Sequence, residues 1–273
     1  MHTRLSVVGN ISHDTSHYSD GRRCDRLGGA ALHTALAAAR ADAHAAPVSV
    51  IGHDLAGLPA THPQPGIDWS ALAIAHGPSA AFTLTYGTDD TLTSSQADYG
   101  ITEGLTRHAL DHITANAGDF FHISLRRPLQ PEPLLVELTN QRAGFSVDLF
   151  LPSAADMIRA ATPWLHRAAV IFTNAAEYRL LAEALEPDTL PLVAITDGPR
   201  PARLLTHGQP LAAAQPPQVN PTDVTGAGDT FAGTFLAHWL ASQDTARALD
   251  QAVHAAAEHL TAPPLLIPAP RRS

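Results

Sequence analysis

The sequence predicts an α/β protein in which helices cover a mostly parallel sheet, and three observations lead to this fold class. Short apolar runs, each bounded by turn residues, recur along the chain. Longer stretches with helical periodicity lie between or after these runs. Two further stretches break the alternation with patterns typical of β-hairpins. Because strands that alternate with helices usually pair in parallel, we expect one parallel sheet wrapped by helices, with a small flap beside it.

The predicted elements follow in chain order. The strands are 4–9, 47–52, 119–124, 144–150, 168–173 and 191–196, and the helices are 29–41, 131–142, 153–165, 174–185, 227–242 and 245–261. The stretches "SHYSDGRRCDRLGG" and "SAAFTLTYGTDDTLTSSQA" predict exposed hairpins that form a small antiparallel flap. A flap of this kind implies a ligand beneath it.

Domain organisation follows from length and from the absence of a linker. The 273 residues contain no long polar or Pro/Gly/Ser-rich segment. We therefore expect a single domain over residues 1–273, with lid segments at about 12–27 and 79–97 inserted in it.

Composition excludes several classes of function. A net charge of −9 without a basic run argues against a nucleic-acid partner. No apolar segment approaches the roughly 20 residues that span a bilayer, so we expect no membrane association. The N-terminal residues lack the pattern of a secretion signal, and the single cysteine, Cys24, has no partner for an internal disulfide. We expect a cytoplasmic protein.

All 17 basic residues are arginine, which excludes chemistry that needs lysine. A GxxxxGK[ST] phosphate loop and a Schiff-base mechanism are both absent. No G-x-G-x-x-G follows the first strand, which argues against a Rossmann oxidoreductase. Histidines with helical spacing, such as His108 and His112, lack the further ligands of a zinc site.

The stretch "TGAGDTF" places Asp229 where a helix begins, directly after a glycine turn. Glycines at a helix start let backbone amides approach an anion, and the helix dipole favours negative charge there. A carboxylate at that point would repel a bound phosphate unless it took a proton from a nucleophile. Asp229 is therefore a candidate general base, although an ordinary helix cap explains an aspartate here equally simply.

Five ordered motifs extend this interpretation. They are "VVGNISHD" (7–14), "LGGAALHTALAAAR" (27–40), "FTNAAEYRLL" (172–181), "AITDGP" (194–199) and "DVTGAGDTFAGTFLA" (223–237). Together they resemble the signatures of the ribokinase-like, or PfkB, carbohydrate kinase family and span most of the chain. The resemblance implies a ribokinase-like three-layer α/β/α sandwich with a mostly parallel central sheet and a small β-hairpin lid.

The resemblance also implies an ATP-dependent phosphoryl transfer. Asp229 would be the general base, and the turn formed by Gly226, Ala227 and Gly228 would supply the amides that hold the transferring group. Asp14 would accept hydrogen bonds from hydroxyls of the acceptor.

The acceptor pocket of the family further implies contacts from Gly28 and Gly29. This chain has His33 where the family usually has asparagine, so ordinary ribose or fructose specificity is in question. An imidazole can still donate to and accept from a hydroxyl.

Contacts with the nucleotide phosphates and their magnesium fall on four residues by the same resemblance. Asn174 and Glu177 lie three apart at a helix start, where they could hold Mg²⁺ through its water shell, or simply form a capping box. Thr196 and Gly198 would contact the nucleotide phosphates, although the second glycine of many family members is missing here.

Three further expectations rest on the family alone. Asp223 matches a position that helps build a monovalent-cation site, such as one for K⁺, but the next residue, Val224, departs from the usual threonine. His254 would lie near the adenine. A homodimer could form through the edges of the lid.

Two arginines follow a predicted strand end. We expect Arg126 and Arg127 to be solvated surface side chains rather than phosphate ligands.

The sequence thus favours a kinase that phosphorylates a hydroxyl of a small sugar or cyclitol. A nucleoside kinase of the same fold is the first alternative, because the His33 change removes the usual sugar contact. A non-catalytic ligand-binding member is the second alternative, and the retained Asp229 argues against it.

Overall fold

A computed structural model describes residues 3–87, 92–221 and 224–267 of the chain. Within these residues the main sheet has nine strands in the order β13-β12-β11-β10-β9-β8-β1-β4-β5. They are β1 (Leu5–Val8), β4 (Ala45–Gly52), β5 (Leu72–Ala75), β8 (Phe120–Leu125), β9 (Phe145–Leu149), β10 (Val170–Asn174), β11 (Leu192–Asp197), β12 (Arg200–Thr206) and β13 (Gln209–Ala214). All six predicted strands are present.

Seven neighbouring strands of this sheet, from β11 to β5, pair in parallel. Leu5 of β1 stands beside Ala45 on one side and Phe120 on the other. Every residue of β1, β4 and β8 is buried, as expected for strands with helices on both faces. The sheet ends in an antiparallel pair, β12 and β13, which the sequence analysis did not predict.

Helices cover both faces of the sheet. They are α1 (Ala30–Arg40), α2 (Leu58–Thr61), α3 (Leu105–Ala115), α4 (Pro131–Gln141), α5 (Ala154–Leu165), α6 (Ala175–Ala184), α7 (Ala227–Ser242) and α8 (Thr245–Thr261). One apolar core lies between the sheet and α1, α7 and α8, and a second lies between the sheet and α3 to α6. The predicted three-layer α/β/α class is therefore confirmed. None of the described helices combines the length and apolar character needed to cross a membrane.

The close packing of α1 against α7 depends on small residues. The first ten residues of α1, from Ala30 to Ala39, are all buried. A Cβ placed on Gly233 of α7 would lie 2.2 Å from the carbonyl oxygen of Thr34, so only glycine allows this approach. The tight contact fixes the start of α7 relative to the start of α1.

The lid is a separate four-stranded sheet in the order β3-β2-β6-β7. Its strands are β2 (Ser12–His17), β3 (Arg23–Gly28), β6 (Ala80–Tyr86) and β7 (Leu92–Asp98). The two predicted hairpins are present and antiparallel, but they join each other through a parallel pair, β2 and β6, which the prediction of an antiparallel flap did not include. Because β2 follows β1 and β6 follows β5, both hairpins leave the main sheet in the same direction. The predicted "GTDD" turn falls largely on residues 88–90, outside the described residues.

Candidate active site

A cavity of about 560 Å³ lies between the lid and the carboxyl ends of the parallel strands. This is the edge at which open α/β sheets bind their ligands. The lining residues are Asn10, Ser12, Asp14, Gly29, Phe82, Leu84, Arg126, Asp148, Leu149, Phe150, Phe172, Thr173, Asn174, Glu177, Thr196, Gly198, Val224, Thr225, Gly226, Gly228, Asp229 and Phe231. The cavity therefore brings together residues from both ends of the chain.

The start of α7 opens into this cavity. Gly226 precedes the helix in the left-handed conformation, with φ 78°, and among the described residues no side chain caps the helix. The amide of Thr230 donates to the carbonyl oxygen of Gly226 at 2.8 Å, which begins the helical hydrogen-bond pattern. The uncapped first turn, together with the helix dipole, is suited to hold an anion. Asp229 is the third residue of this turn.

An arginine links two carboxylates beside the first turn of α7. Nη2 of Arg126 donates to Oδ1 of Asp229 at 3.1 Å and also to Asp148. The Arg126 side chain is 16% exposed, so the prediction of a solvated surface arginine is wrong. Burial disfavours its charged form, but the two carboxylates raise the pKa of Arg126 above its ordinary value, and it stays charged. Arg127 does lie at the surface, as predicted.

A buried histidine backs this arrangement. Nδ1 of His122 lies 2.9 Å from the hydroxyl of Ser146, and Nε2 lies 3.6 Å from Oδ1 of Asp148. The ring is fully buried. Burial lowers the pKa of His122, more than the nearby Asp148 raises it, so the imidazole is neutral at physiological pH.

The start of α6 meets the same cavity but is capped. The side chain of Asn174 accepts hydrogen bonds from the amides of Ala176 and Glu177, both at 2.9 Å. The Glu177 carboxylate accepts from the Asn174 amide at 2.7 Å, which completes a capping box. Burial, reinforced by the nearby Asp148, raises the pKa of Glu177 to about 7. The capping interpretation of this pair is thus confirmed.

The lid contributes Asp14, whose side chain is buried at the edge of the cavity. In the parallel pairing of β2 and β6, Asp14 stands beside Phe82, and both line the cavity. A Cβ on Gly28 would lie 2.0 Å from the Asp14 carboxylate, and one on Gly29 would lie 2.3 Å from the carbonyl oxygen of Asn10. The glycine pair therefore leaves room for the Asp14 carboxylate and for the backbone of Asn10.

Two predicted site residues lie elsewhere. His33 lines a smaller cavity of about 50 Å³ behind the Gly226 turn, where its ring centroid is 5.3 Å from that of His259. Its ring packs so closely that a Cβ on Gly226 would lie 2.7 Å from Cγ of His33. His254 is exposed on α8, with Nδ1 2.8 Å from the carbonyl oxygen of Asp250. The larger cavity includes neither histidine.

The remaining predicted residues differ in whether they line the larger cavity. Thr196 and Gly198 line it, whereas Ala227 and Gly28 do not but are next in sequence to glycines that do. Asp223, the predicted cation-site residue, lies outside the described residues.

Sequence reasoning missed two buried residues of the site, His122 and Asp148. A usable signal was present for Asp148, which is the next-to-last residue of β9, close to its carboxyl end, and lines the cavity, whereas His122 lies in the middle of the neighbouring strand β8 and carries no such signal. Polar residues at that edge of a parallel sheet are candidate ligand contacts. The same rule would have moved Arg126, which directly follows β8, from the surface into the site.

Comparison with known proteins adds independent information. The model of the pfkB family carbohydrate kinases matches residues 3–270. The chain is 29% identical over 251 residues to the cytidine kinase of Thermococcus kodakarensis, covering 85% of this chain and 87% of that protein. It is 27% identical over 236 residues to the ATP-dependent ribose-1-phosphate kinase of Halopiger xanaduensis, covering 82% and 77% respectively.

Solved structures agree on the fold. The structure of a Burkholderia thailandensis nucleoside kinase in complex with inosine matches with a TM-score of 0.79, covering 97% of this chain and 95% of the other. At 17% sequence identity this likeness supports the fold and nothing finer.

Proposed function

Since the chain belongs to the pfkB family of carbohydrate kinases, we propose that it transfers the γ-phosphoryl group of ATP to a hydroxyl of a small, neutral acceptor. The observation that carries the proposal is the start of α7, where an uncapped first turn and the carboxylate of Asp229 face one cavity. A site for phosphoryl transfer needs both an anion-holding group and a base within reach of the nucleophile.

Asp229 acts as the general base in this proposal. Its carboxylate takes the proton of the acceptor hydroxyl, and the hydroxyl oxygen attacks the γ-phosphorus in line with the departing ADP. The amides of Ala227, Gly228 and Asp229 hold the transferring group, which is largely a matter of electrostatic stabilisation. No covalent intermediate with the protein is required.

The charge of the cavity favours a neutral acceptor. Four acids line it, namely Asp14, Asp148, Glu177 and Asp229, against one arginine among the described residues. A phosphorylated acceptor would add further negative charge next to these carboxylates, and like charges at short range repel. The ribose 1-phosphate in the name of one relative therefore fits this cavity less well than an uncharged ligand does.

A nucleoside is the acceptor class that we favour. The Asp14 carboxylate lines the cavity and can accept hydrogen bonds from ribose hydroxyls. Beside it the ring of Phe82, followed by Leu84, gives the lid an apolar surface for a base. The cytidine kinase among the relatives is in keeping with this choice. A free sugar or cyclitol is the second candidate, because Asn10, Ser12 and Asp14 form a polar wall that suits any polyol.

Magnesium would bind near the start of α6, next to the phosphates. The oxygens of Asn174 and Glu177 already serve the capping box, and the described residues contain no group of three His, Cys, Asp or Glu that could hold a metal directly. The buried Glu177 carboxylate lies near Asp148, and its pKa is raised to about 7, so a hydrated cation there would stabilise the charged form. Bound Mg²⁺ would offset the charge of the nucleotide phosphates.

The test is an ADP-release assay with ATP and Mg²⁺ against a matched panel of acceptors. Cytidine, uridine, inosine and adenosine would be compared with ribose, fructose, myo-inositol and ribose 1-phosphate, with the product mass measured in each case. We expect the highest kcat/KM for a nucleoside. A preference for a free sugar would select the second candidate, and turnover of no acceptor would favour the non-catalytic alternative.

The Asp14→Ala variant tests the placement of the acceptor. Loss of a hydrogen-bonding carboxylate should lower kcat/KM for the acceptor. The loss should correspond to about 1.5–3 kcal/mol of transition-state stabilisation, which is the scale of hydrogen bonds to a charged group. The KM for ATP should stay within threefold. The exposed lid residue Asp20 pairs with Arg22 and provides the control, Asp20→Ala. Equal losses for ATP and acceptor would remove Asp14 from the acceptor pocket.

A further inference from the structure

Arg126 is a basic side chain in direct contact with the proposed base. Its Nη2 lies 3.1 Å from Oδ1 of Asp229 and also donates to Asp148. We propose that Arg126 is a catalytic residue that holds Asp229 before the acceptor binds and then donates hydrogen bonds to the transferring phosphoryl group. This inference rests on the proposed phosphoryl transfer.

The charge balance of the cavity calls for such a group. The γ-phosphate must approach Asp229 inside a cavity whose other charged lining residues, among those described, are acids. The chain has no lysine, and the described lining residues include no histidine, so the positive side chain at this wall is an arginine. A guanidinium offers five donors in a planar fork that matches phosphate oxygens, and it remains charged when it is partly buried.

Distances place the guanidinium within reach of the reacting atoms. A general base works within about 2.6–3.2 Å of the hydroxyl that it deprotonates, and the reacting atoms start about 3–3.5 Å apart. Because Arg126 already contacts Asp229, a phosphoryl group bound for this reaction comes close to the same guanidinium. Both described carboxylate contacts of Arg126 are made by Nη2, so they do not use the other N–H groups of the guanidinium.

Neighbouring groups hold the guanidinium in place. One of its faces lies over the ring of Phe150, with 5.1 Å between Cζ and the ring centroid. Asp148 binds it from the end of β9, and the neutral, buried His122 lies behind Asp148. Asp148 and His122 are thus positioning residues that keep Arg126 at the cavity wall when Asp229 turns to the acceptor.

Phosphoryl transfer requires no proton transfer to or from Arg126 and no covalent bond to it. The proton of the acceptor hydroxyl passes to Asp229, a bond forms between the acceptor oxygen and the γ-phosphorus, and the bond from that phosphorus to the bridging oxygen of ADP breaks with its electron pair. Arg126 keeps all its protons and donates hydrogen bonds to the negative oxygens of the transferring group. Its contribution is therefore greatest where that charge is concentrated.

Kinetics of Arg126→Gln and Arg126→Lys, with Arg127→Gln as the matched control, test the assignment. Arg127 is the adjacent arginine, 59% exposed and paired with Asp156 at the surface. We expect Arg126→Gln to lower kcat at least 100-fold, as for loss of one strong donor to the transition state, with the KM for ATP within threefold. Arg126→Lys should recover about tenfold of that loss, and Arg127→Gln should match wild type.

Two further measurements exclude a purely structural role. Guanidinium ion at millimolar concentration should restore part of the activity of Arg126→Ala, because it can enter the vacated space, but not that of Asp229→Asn. Stabilisation by ADP with aluminium fluoride, which imitates the transferring group, should fall in Arg126→Gln, whereas stabilisation by ADP alone should not. If Arg126→Gln folds poorly, the double variant Arg126→Gln with Asp148→Asn is measured instead, because it removes both charges of this buried pair.

The outcomes separate this inference from the proposed function. An active wild type with an equally active Arg126→Gln overturns the role of Arg126 and leaves the kinase intact. A wild type that phosphorylates no acceptor overturns the proposed function instead. In that case, equal stabilisation of wild type and Arg126→Gln by ADP with aluminium fluoride would overturn the Arg126 assignment as well.

Discussion

Two helices begin at the wall of the same cavity, and each has an acid as its third residue. In α6 this acid is Glu177, and the residue before the helix is Asn174; in α7 the acid is Asp229, and the residue before the helix is Gly226. Asn174 and Glu177 satisfy each other's backbone amides, so the start of α6 is closed. Gly226 has no side chain to offer, so the start of α7 stays open.

The two acids differ in environment as a result. Glu177 turns back onto its own helix, is buried, and has a pKa raised to about 7. Asp229 turns away from its helix towards Arg126. The residue before each helix thus determines whether the acid in the first turn pairs with the backbone, as Glu177 does, or remains available to another side chain, as Asp229 does to Arg126. The asparagine before α6 forms a cap with its acid, whereas the glycine before α7 leaves the first turn uncapped and its acid paired with Arg126.

Of the variants at the two helix starts, Asp229→Asn should have the largest effect, which is a loss of kcat. The variant keeps the shape of the side chain and the open amides but removes the proton acceptor, so kcat should fall by about 10²–10⁴-fold. Nucleotide affinity should stay within threefold. The measurement is ADP release at saturating ATP and acceptor, with ATP binding followed by thermal shift.

The matched control is an aspartate that caps a helix. Asp244 precedes α8 and accepts a hydrogen bond from the amide of Arg247 at 3.0 Å. Asp244→Asn should lower stability slightly and leave kcat unchanged. If Asp229→Asn turns over within threefold of wild type, Asp229, like Asp244, has a structural role at a helix start and is not the general base.

Gly226→Ala should have the next largest effect, because it disturbs the open start of α7 directly. A non-glycine residue in the left-handed conformation costs about 1–2 kcal/mol. The added Cβ would also lie 2.7 Å from Cγ of His33. We expect a stability loss above the strain alone, measured by urea unfolding, and a fall in kcat of about tenfold because the amides shift.

The double variant Gly226→Ala with His33→Ala separates the two causes. Removal of the ring should relieve the contact but not the backbone strain, so the double variant should be more stable than the two single losses predict. Strict additivity would contradict the close contact. The single variant His33→Ala also tests the sequence prediction of an acceptor contact, since an unchanged KM for the acceptor would exclude it.

The sequence predicted the layers of this fold well, because hydrophobic period and turn residues determine them locally. The predicted helix 227–242 agrees with α7, Ala227–Ser242, and the predicted helix 131–142 ends within one residue of α4. The antiparallel strands β12 and β13 were missed because "RPARLLT" and "QPLAAA" lack a clear period of two. The parallel pairing within the lid depends on the direction of β1 and β5, which no local pattern contains.

The site was predictable where a residue's role follows from its own neighbours in sequence. The capping box of Asn174 and Glu177 and the glycine turn before Asp229 are of this kind. Arg126 was misplaced because its position depends on long-range packing, and the same packing places His33 at the smaller cavity, so its predicted acceptor contact stays a prediction. Asp229 lies 103 residues from Arg126 along the chain, and only the folded sheet edge brings the two together.

Glu177→Gln should have the smallest effect on stability, and this effect should appear as a change in the pH dependence of the free energy of unfolding. The folded pKa of Glu177, about 7, lies above its ordinary value of 4.5, so the folded protein holds this proton more tightly than the unfolded chain does. Stability from this group is therefore full below about pH 4.5 and is lost as the pH rises towards 7. Glutamine keeps an oxygen for the Asn174 amide but does not titrate.

The Tm of wild type should therefore fall relative to that of Glu177→Gln between pH 5 and pH 8. For a chain of this size each kcal/mol corresponds to roughly 2–4 °C, so thermal shift can follow the change. Glu183, also on α6 but outside the cavity lining, gives the control variant Glu183→Gln, whose Tm should run parallel to that of wild type. Addition of ATP and Mg²⁺ should reduce the wild-type decline, because a nearby cation favours the charged carboxylate. Parallel curves for wild type and Glu177→Gln would show that the capped acid does not titrate in this range, and the electrostatic contrast between the two helix starts would then disappear.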